Sequence, residues 1–492
     1  MTTIGLEICD AGFRTAATDN AEPRQIEVAD RNGATEWPGF AFQDGANFTF
    51  GRAAEDMWFV HPRRVVHTFW AKLARESVST LNVSGRPPSF SELAFFFLRE
   101  FSNRLAATAG PLEKIVLAVP GSYLKDAATE DEKIGLLLGM AAELKLPLAG
   151  IVDMACAALC DPRAPGFNPA HPVVVVDVQL EGADLTLFTV EERLERKHFF
   201  HLPNSGYALL LKHLTATMGN RFLRQTAFDI LEDGRVEQQF FNQTKEFLQG
   251  GGAEHRYQIN TATRNYEMLA KYEQLVGDAQ AFAATLAQGL QSFVDHTSHS
   301  RGLCTIALTA RSAFVPGLDA KLRAAGFMHL LHLPAGAAAA GAARIGANRL
   351  NVPADFADVP VETSALLSET RRTVSTIREA RLHKARHTEV RPAPTHAILN
   401  GLGHVIGGNG HFTIGTAGPH VDLLLPDGFD TAGDCSVPLV REGGQLWFVD
   451  PAHASAPGGA PASRVAVEAG DRLTIRCGQA AADVLFAHCL GT

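Results

Sequence analysis

Residues 173–190 read VVVVDVQLEGADLTLFTV, and this stretch decides the fold class. The apolar, β-branched run Val173 to Val176 predicts one strand, and Asp184 to Val190 predicts a second. The short polar segment between them predicts a tight turn. Such strands, set among helical patterns, are typical of an α/β domain.

The same alternation of strands and helices continues outward through residues 1–368. Further strands are predicted at Ile4 to Ile8 and Lys114 to Val119. Helical patterns occupy the intervals at about Ser89 to Ala109, Glu130 to Lys145 and Ser205 to Met218. The stretch from about 220 to 300 reads as a helical insertion with a hairpin at Arg256 to Asn265.

Bulk composition excludes several classes of protein. A chain of 492 residues predicts two or three domains. The net charge of -9 provides no overall attraction to nucleic acid or to an anionic membrane. No apolar run is long enough for a membrane span, and the N-terminus lacks a secretory pattern, so we expect a cytoplasmic protein. The seven scattered cysteines are expected to be reduced core residues.

The last quarter of the chain has a different character. The polar, basic stretch Glu369 to Arg386 predicts a solvated or bridging helix, and the prolines after it complete a linker over 369–394. Its positive charge indicates a solvated face before it indicates a nucleic-acid site. Residues 395–492 contain short apolar runs between Gly-rich and Pro-rich turns, which predict a small all-β sandwich.

Eight segments in the first 350 residues together resemble the actin-like ATPase superfamily, and within it the DnaK-type chaperones. Five or six of them occur in the family's order and at similar distances. The segments are IGLEICDAGF (from Ile4), HTFWAKL (from His67), IVLAVPGSY (from Ile115), IVDMACAAL (from Ile151), DVQLEGAD (from Asp177), KEFL (from Lys245), LTARSAFVP (from Leu308) and PAGAAAAGAA (from Pro334). The resemblance implies a two-lobed fold that grips ATP and Mg²⁺ between two hairpin turns.

The resemblance also assigns a role to each matching position. The catalytic and metal-associated positions fall on Glu7, Lys72, Met154 and Asp177, of which Glu7 and Asp177 would face Mg²⁺. The first phosphate turn falls on Cys9, Asp10 and Ala11, and the second on Glu181 and Gly182. The adenosine and closing-helix positions fall on Lys245, Ala310, Arg311 and Gly341.

Several of these positions depart from the family's pattern. Glu181 would place a carboxylate near the γ-phosphate, and like charges about 4 Å apart cost roughly 1–4 kcal/mol near a surface. Side chains replace glycines that let the backbone approach the phosphates, and Met154 replaces a catalytic glutamate. We therefore expect no ATP or Mg²⁺ cofactor and a non-catalytic scaffold or adaptor that binds other proteins, with self-assembly or filaments as one form. The alternative is an active chaperone-like or filament-forming ATPase with divergent loops.

Residues 395–492 resemble a forkhead-associated domain, through FTIGT (from Phe412) and GDRLTIRC (from Gly470) among other pieces. Such domains read phosphothreonine. The positions that correspond to the family's phosphate-binding residues are Thr416, Cys435 and Pro438, and none of them carries the residue that the family uses. Arg441 and Arg464 are the remaining candidates for a phosphate contact. His296 and His299 have helical spacing but are expected to be exposed polar residues rather than metal ligands.

Overall fold

The structure is a computed structural model. It describes residues 2–489 except 20–21, 29–35, 84, 169–170, 191–192, 262–263, 298, 367–378, 384–390, 408–409, 416–421, 426–435, 443, 450–463 and 478–479. The chain divides into two compact units, Met1–Phe167 with Pro172–Arg371, and Asn168–His171 with Arg372–Thr492. The architecture is mixed α/β, as predicted. The predicted domain boundary after residue 368 lies outside the described residues.

The first unit contains all of the described α-helices and most of the strands. Its strands are β1 (Thr3–Glu7), β2 (Gly12–Thr18), β3 (Arg24–Ile26), β4 (Trp37–Pro38), β5 (Ala41–Asp44), β6 (Asn47–Phe50), β7 (Val65–Val66), β8 (Lys114–Val119), β9 (Leu148–Asp153), β10 (Val173–Val178), β11 (Gly182–Val190), β12 (Arg193–Pro203), β13 (Glu254–Asn260), β14 (Asn265–Lys271), β15 (Thr305–Leu308), β16 (His329–His332), β17 (Val361–Glu362) and β18 (Ser364–Leu366). Its helices are α1 (Arg52–Glu55), α2 (Phe69–Lys72), α3 (Phe90–Ala109), α4 (Ala127–Glu143), α5 (Met154–Leu159), α6 (Tyr207–Thr226), α7 (Gly234–Gly250), α8 (Tyr272–Asp278), α9 (Gln280–His296), α10 (Ala310–Ala313), α11 (Leu318–Ala324) and α12 (Ala337–Arg349). Short 3-10 turns occur at Gly121–Leu124, Ile230–Glu232, Arg301–Leu303 and Phe356–Asp358.

Two sheets organise this unit, and they repeat one pattern of connections. The first has the order β17-β9-β8-β1-β2-β3, and the second has the order β16-β15-β10-β11-β12-β18. In each, three consecutive strands form an antiparallel meander, β1-β2-β3 or β10-β11-β12. The first strand of each meander then pairs in parallel with a later strand, β8 or β15. The tight turns β1–β2 and β10–β11 therefore hold equivalent places in the two sheets.

Local sequence explains why the main helices form where predicted. Helix α3 begins at a capping box, in which the Ser89 side chain accepts from the Glu92 N–H and the Glu92 carboxylate accepts from the Ser89 N–H. Helices α4 and α6 occupy the other two predicted stretches, and α6 continues to Thr226. The predicted hairpin near 256–265 is the pair β13 and β14.

The alanine-rich helix α12 packs tightly against the first sheet and against α5. An added Cβ on Gly5 of β1 would lie 2.0 Å from the Ala339 carbonyl oxygen. An added Cβ on Gly341 would lie 1.7 Å from the carbonyl oxygen of Ala157 in α5. Small residues here allow backbone to approach backbone, which explains the composition of residues 335–343.

In the described part of the second unit, all of the regular secondary structure is β-strand. They are β19 (Glu379–His383), β20 (His396–Leu399), β21 (Leu402–Val405), β22 (Gly410–Gly415), β23 (Leu423–Leu424), β24 (Ser436–Glu442), β25 (Gln445–Val449), β26 (Arg464–Val467), β27 (Arg472–Cys477) and β28 (Ala480–Ala487). They form two five-stranded sheets, β19-β27-β28-β20-β21 and β23-β22-β24-β25-β26. Buried residues from both sheets, such as Phe486 and Phe412, belong to one hydrophobic core.

One local prediction is wrong in this region. Glu379–His383 was expected within a helix, and it forms β19, paired antiparallel with β27. The ladder to β27 provides backbone hydrogen bonds that a helix would otherwise supply, so tertiary pairing overrides local helix propensity. The rest of the predicted linker is described only at 391–394.

Candidate functional site

The two equivalent turns face each other inside the first unit, and one side chain joins them. The Asp10 carboxylate, from the β1–β2 turn, accepts hydrogen bonds from the backbone N–H groups of Leu180 (2.8 Å) and Glu181 (3.0 Å) in the β10–β11 turn. Asp10 is only 2% exposed. Adjacent N–H groups of a turn form a typical anion site, and here an internal carboxylate occupies it. Burial raises the pKa of Asp10 to about 6, although these N–H groups oppose the shift.

The second turn is also held from its other side. The N–H groups of Tyr207 and Ala208, at the start of α6, donate to the carbonyl oxygens of Gln179 (2.8 Å) and Leu180 (2.9 Å). An added Cβ on Gly206 would lie 2.2 Å from the Leu180 carbonyl oxygen, so glycine permits this close approach. The turn is therefore bonded through both its N–H and its C=O groups.

A buried guanidinium lies at the centre of the space between the turns. Arg311, the second residue of α10, places Nη1 2.7 Å from Glu36 and Nη2 3.0 Å from Glu7. Nη2 also lies 3.8 Å from an Asp177 carboxylate oxygen. Arg14 adds a second cation at 3.0 Å from Glu36. Burial raises the pKa of Glu36, but Arg14 and Arg311 outweigh burial and lower it to about 2.

The two aspartates of the β10–β11 hairpin lie opposite each other in register. The Gln179 side-chain amide donates to Asp177 (3.2 Å) and to Asp184 (3.0 Å), and so bridges them. His201 on β12 places Nδ1 2.7 Å from Asp184. Burial raises the pKa of Asp184 in spite of His201, and the hydrogen bond to Asp184 raises the pKa of His201.

The β10–β11 turn contributes a second carboxylate, that of Glu181, which extends in the direction opposite to Asp10. Glu181 places Oε1 2.8 Å from Nδ1 of His67, which lies against the rings of Phe40 and Trp58. This imidazole lowers the pKa of Glu181, with smaller contributions from other cations that include Lys72. Each turn thus extends one carboxylate across the space between the two turns.

Two small cavities lie beside this network among the described residues. One, of about 30 Å³, is lined by Glu7, Asp177 and Arg311 among others, and also by Met154. Another, of about 20 Å³, is lined by Lys245 and again by Arg311. Pockets that hold drug-sized ligands typically measure about 300–1,000 Å³. In this conformation the space suits a few water molecules.

The remaining predicted residues of the first unit are dispersed. Lys72 is exposed, with its ammonium 4.8 Å from the centroid of the Phe90 ring. Lys245 forms an ion pair with buried Glu55. The Cys9 thiol is buried, which raises its pKa well above the usual value, and it donates to the Gly12 carbonyl oxygen at 3.4 Å. Ala11 and Ala310 line cavities, Gly182 packs against the His201 ring, and Gly341 packs against α5.

The candidates of the second unit are only partly described. Thr416 and Cys435 lie outside the described residues. Pro438 lies in β24 opposite Thr413, and Arg464 lies in β26. The terminal nitrogens of Arg441 donate to the carbonyl oxygens of Ile406, Gly407 and Pro394.

The two candidate histidines, His296 at the end of α9 and His299 beyond it, contact different partners. His296 Nδ1 lies 2.6 Å from the Ser292 carbonyl oxygen, whereas His299 Nδ1 lies 3.1 Å from the Thr297 hydroxyl. Within the described part of the chain, no group of three or more His, Cys, Asp or Glu side chains is arranged to hold a metal ion. None of the described helices has the length and apolar character needed to cross a membrane.

Sequence reasoning missed four residues of the network, namely Glu36, Arg14, His67 and His201. Glu36 is 275 positions from Arg311, so no local spacing relates the two.

Neither known protein-family models nor the curated proteins match this chain.

Proposed function

We propose that the protein is a non-catalytic scaffold built on an actin-like, DnaK-type fold whose nucleotide cleft is closed by its own side chains. The observation that carries the proposal is the Asp10 carboxylate on the N–H groups of Leu180 and Glu181. A phosphate would need these donors, and an internal carboxylate already accepts from them.

The arrangement of the sheets supports the fold assignment. Two sheets with the same connections, each presenting a tight turn toward the other, are what the resemblance to the actin-like superfamily implies. The tight contact between α5 and α12, through Gly341, supports it as well.

Electrostatics in the cleft oppose a bound Mg²⁺·ATP. The Arg311 guanidinium lies between Glu7 and Asp177, the two positions that the resemblance associates with the metal. A cation is therefore already present where those carboxylates converge. Glu181 adds a negative charge beside the turn that would receive the phosphates. The residues present do not fit this cofactor, and we assign no catalytic step to the site.

The second unit completes the proposal as a protein-interaction module of the forkhead-associated type that does not read phosphothreonine. Its support is Arg441, whose terminal nitrogens are engaged by three carbonyl oxygens. An array of phosphothreonine peptides should give no binding above the unphosphorylated peptides. Specific binding that is lost in an Arg441→Ala variant would contradict this part of the proposal.

A cytoplasmic location belongs to the same proposal. The buried free thiols of Cys9, Cys156, Cys160 and Cys304 fit a reducing compartment.

Calorimetric titration of the intact protein with Mg²⁺·ATP tests the closed cleft. We expect no heat of binding and no phosphate release. An Asp10→Ala variant frees the two N–H groups, and a Lys245→Ala variant removes a cation that the resemblance places near adenosine. Micromolar binding to the natural chain that is weakened by Lys245→Ala would refute the proposal and favour an active ATPase.

A further inference from the structure

The two most exposed large apolar side chains of the described residues lie on one edge strand of the second unit. Leu402 is 68% exposed and Val405 is 71% exposed, and both belong to β21. Strand β21 ends its sheet, and no described strand pairs with its outer edge. Proteins usually protect such an edge, because its free N–H and C=O groups can pair with another chain.

Apart from its short length of four residues, this edge lacks the usual protection. Residues 396–407 read HAILNGLGHVIG and contain no Lys, Arg, Asp, Glu or Pro. Charged residues and proline are the common means of preventing edge pairing. The Asn400-Gly401 turn, with φ values of 51° and 80°, fixes β21 against β20 in a two-residue hairpin. The strand is therefore presented in a defined register.

The register determines which backbone groups are available. The Ile406 N–H donates to the Thr395 carbonyl oxygen, so the backbone N–H and C=O groups of Ile406 point toward the β20 side. Alternate residues of a strand direct their N–H and C=O groups to opposite edges. The groups of Gly403 and Val405 therefore face outward, away from β20.

We propose that β21 is a self-association edge, at which a second copy of this chain pairs antiparallel with the first. When His404 of one copy lies opposite His404 of the other, Gly403 of each copy lies opposite Val405 of the other copy. Each such pair exchanges two hydrogen bonds, so the outward groups of both strands are satisfied. This inference deepens the proposed scaffold role and rests on it.

Side-chain shape favours a second copy as the occupant. Leu485, Ile398 and Gly403 form one cross-strand row on the outer face of the sheet. Gly403 leaves this row open, since an added Cβ would meet only the His396 ring, at 3.9 Å. In the symmetric register, Val405 of the copy adds its side chain beside Gly403, next to half-buried Ile398.

Charge permits the same occupant. The whole chain has a net charge of -9, so two copies repel one another overall. The uncharged stretch around β21 allows two copies to meet without placing like charges opposite each other. A short edge contact of this kind is expected to be a weak, concentration-dependent interface.

Sedimentation velocity of the full chain over about 1–200 µM tests the proposal. The average mass should rise with concentration from 52.8 kDa toward twice that value. A Val405→Lys variant should weaken self-association by about tenfold or more, because it places two lysines in the contact. Leu424→Lys, at a residue that is 61% exposed on the other sheet, is the matched control and should leave self-association unchanged.

Hydrogen exchange on the natural chain provides a measurement that does not depend on a variant. The Gly403 and Val405 amides should become protected as concentration rises, while the first unit's exchange stays constant. A chain that stays monomeric at every concentration, or self-association that Val405→Lys does not affect, overturns the proposal. Either result leaves the scaffold assignment intact, because that assignment is decided by the ATP titration.

Discussion

Replacing Arg311 by alanine tests whether the ion-pair network holds the two sheets of the first unit together. The Arg311 side chain is only 5% exposed. It contacts Glu36 and Glu7 directly and lies 3.8 Å from Asp177. Arg14 remains beside Glu36 in the variant, but Glu7 and Asp177 lose their nearest cation. The variant therefore leaves buried Glu7 without its ion-pair partner, whereas Asp177 keeps its hydrogen bond from Gln179.

The magnitude follows from the burial of these charges. Removing one partner of a buried ion pair costs about 3–5 kcal/mol, since the remaining charge stays out of water. A unit of roughly 370 residues unfolds with an entropy near 0.8 kcal/mol/K, at about 2.1 cal/mol/K per residue. The expected loss therefore corresponds to a fall in Tm of about 4–6 °C.

Urea unfolding followed by tryptophan fluorescence measures this loss, since Trp37, Trp58 and Trp70 all lie in the first unit. Arg301→Ala is the matched control, because Arg301 forms a half-exposed pair with Asp295 and should cost less than about 1 kcal/mol. If Arg311→Ala loses no more stability than Arg301→Ala, the network does not hold the sheets together and the reasoning fails.

Three further predictions concern stability. Burial raises the pKa of Asp10 to about 6 in the folded state, so its contribution to stability is present at low pH and is lost as pH rises through 6. The contribution of Asp10 to the free energy of unfolding should fall by up to about 3 kcal/mol between about pH 4 and pH 7, and Asp10→Asn should remove this part of the pH dependence in urea titrations. An unchanged pH dependence in Asp10→Asn would exclude Asp10 as the group responsible. Gly341→Ala should cost about 1–3 kcal/mol or more, because the new Cβ meets the Ala157 carbonyl, whereas Gly139→Ala, in open space on α4, should gain about 0.5–1 kcal/mol. Equal effects at the two glycines in thermal melts would contradict the close helix contact. Ser89→Ala should cost about 1 kcal/mol by removing the cap of α3, and a change below about 0.3 kcal/mol would show that the cap is replaced.

Much of the secondary structure could be predicted because it depends on local pattern. The run Val173 to Val176 and the segment Asp184 to Val190 became the hairpin β10–β11, and the pattern after Ser89 became α3. Each signal lies within about twenty residues, where apolar periodicity, caps and turn residues act directly on the backbone. Glu379–His383 shows the limit, since its partner strand β27 lies about ninety residues away.

The candidate site was predicted unevenly for a related reason. Asp10, Asp177, Glu181 and Arg311 were selected from the sequence, and the structure brings all four to the facing turns. Lys72 was selected on the same grounds, yet its ammonium lies over the Phe90 ring at the surface. A long flexible side chain can be directed either way from one backbone position, and only its neighbours determine the direction.

The sequence by itself determined the α/β class, the approximate positions of α3, α4, α6 and the β10–β11 hairpin, and which turn residues differ from the glycines that the resemblance implies. Tertiary structure alone decided what those residues do instead. Asp10 reaches the N–H groups of a turn 170 positions away, and Arg311 reaches Glu7 across 304 positions. Hydrogen bonds and buried ion pairs depend on distances of about 3 Å in space, and polar residues leave no periodic trace of such partners in the chain.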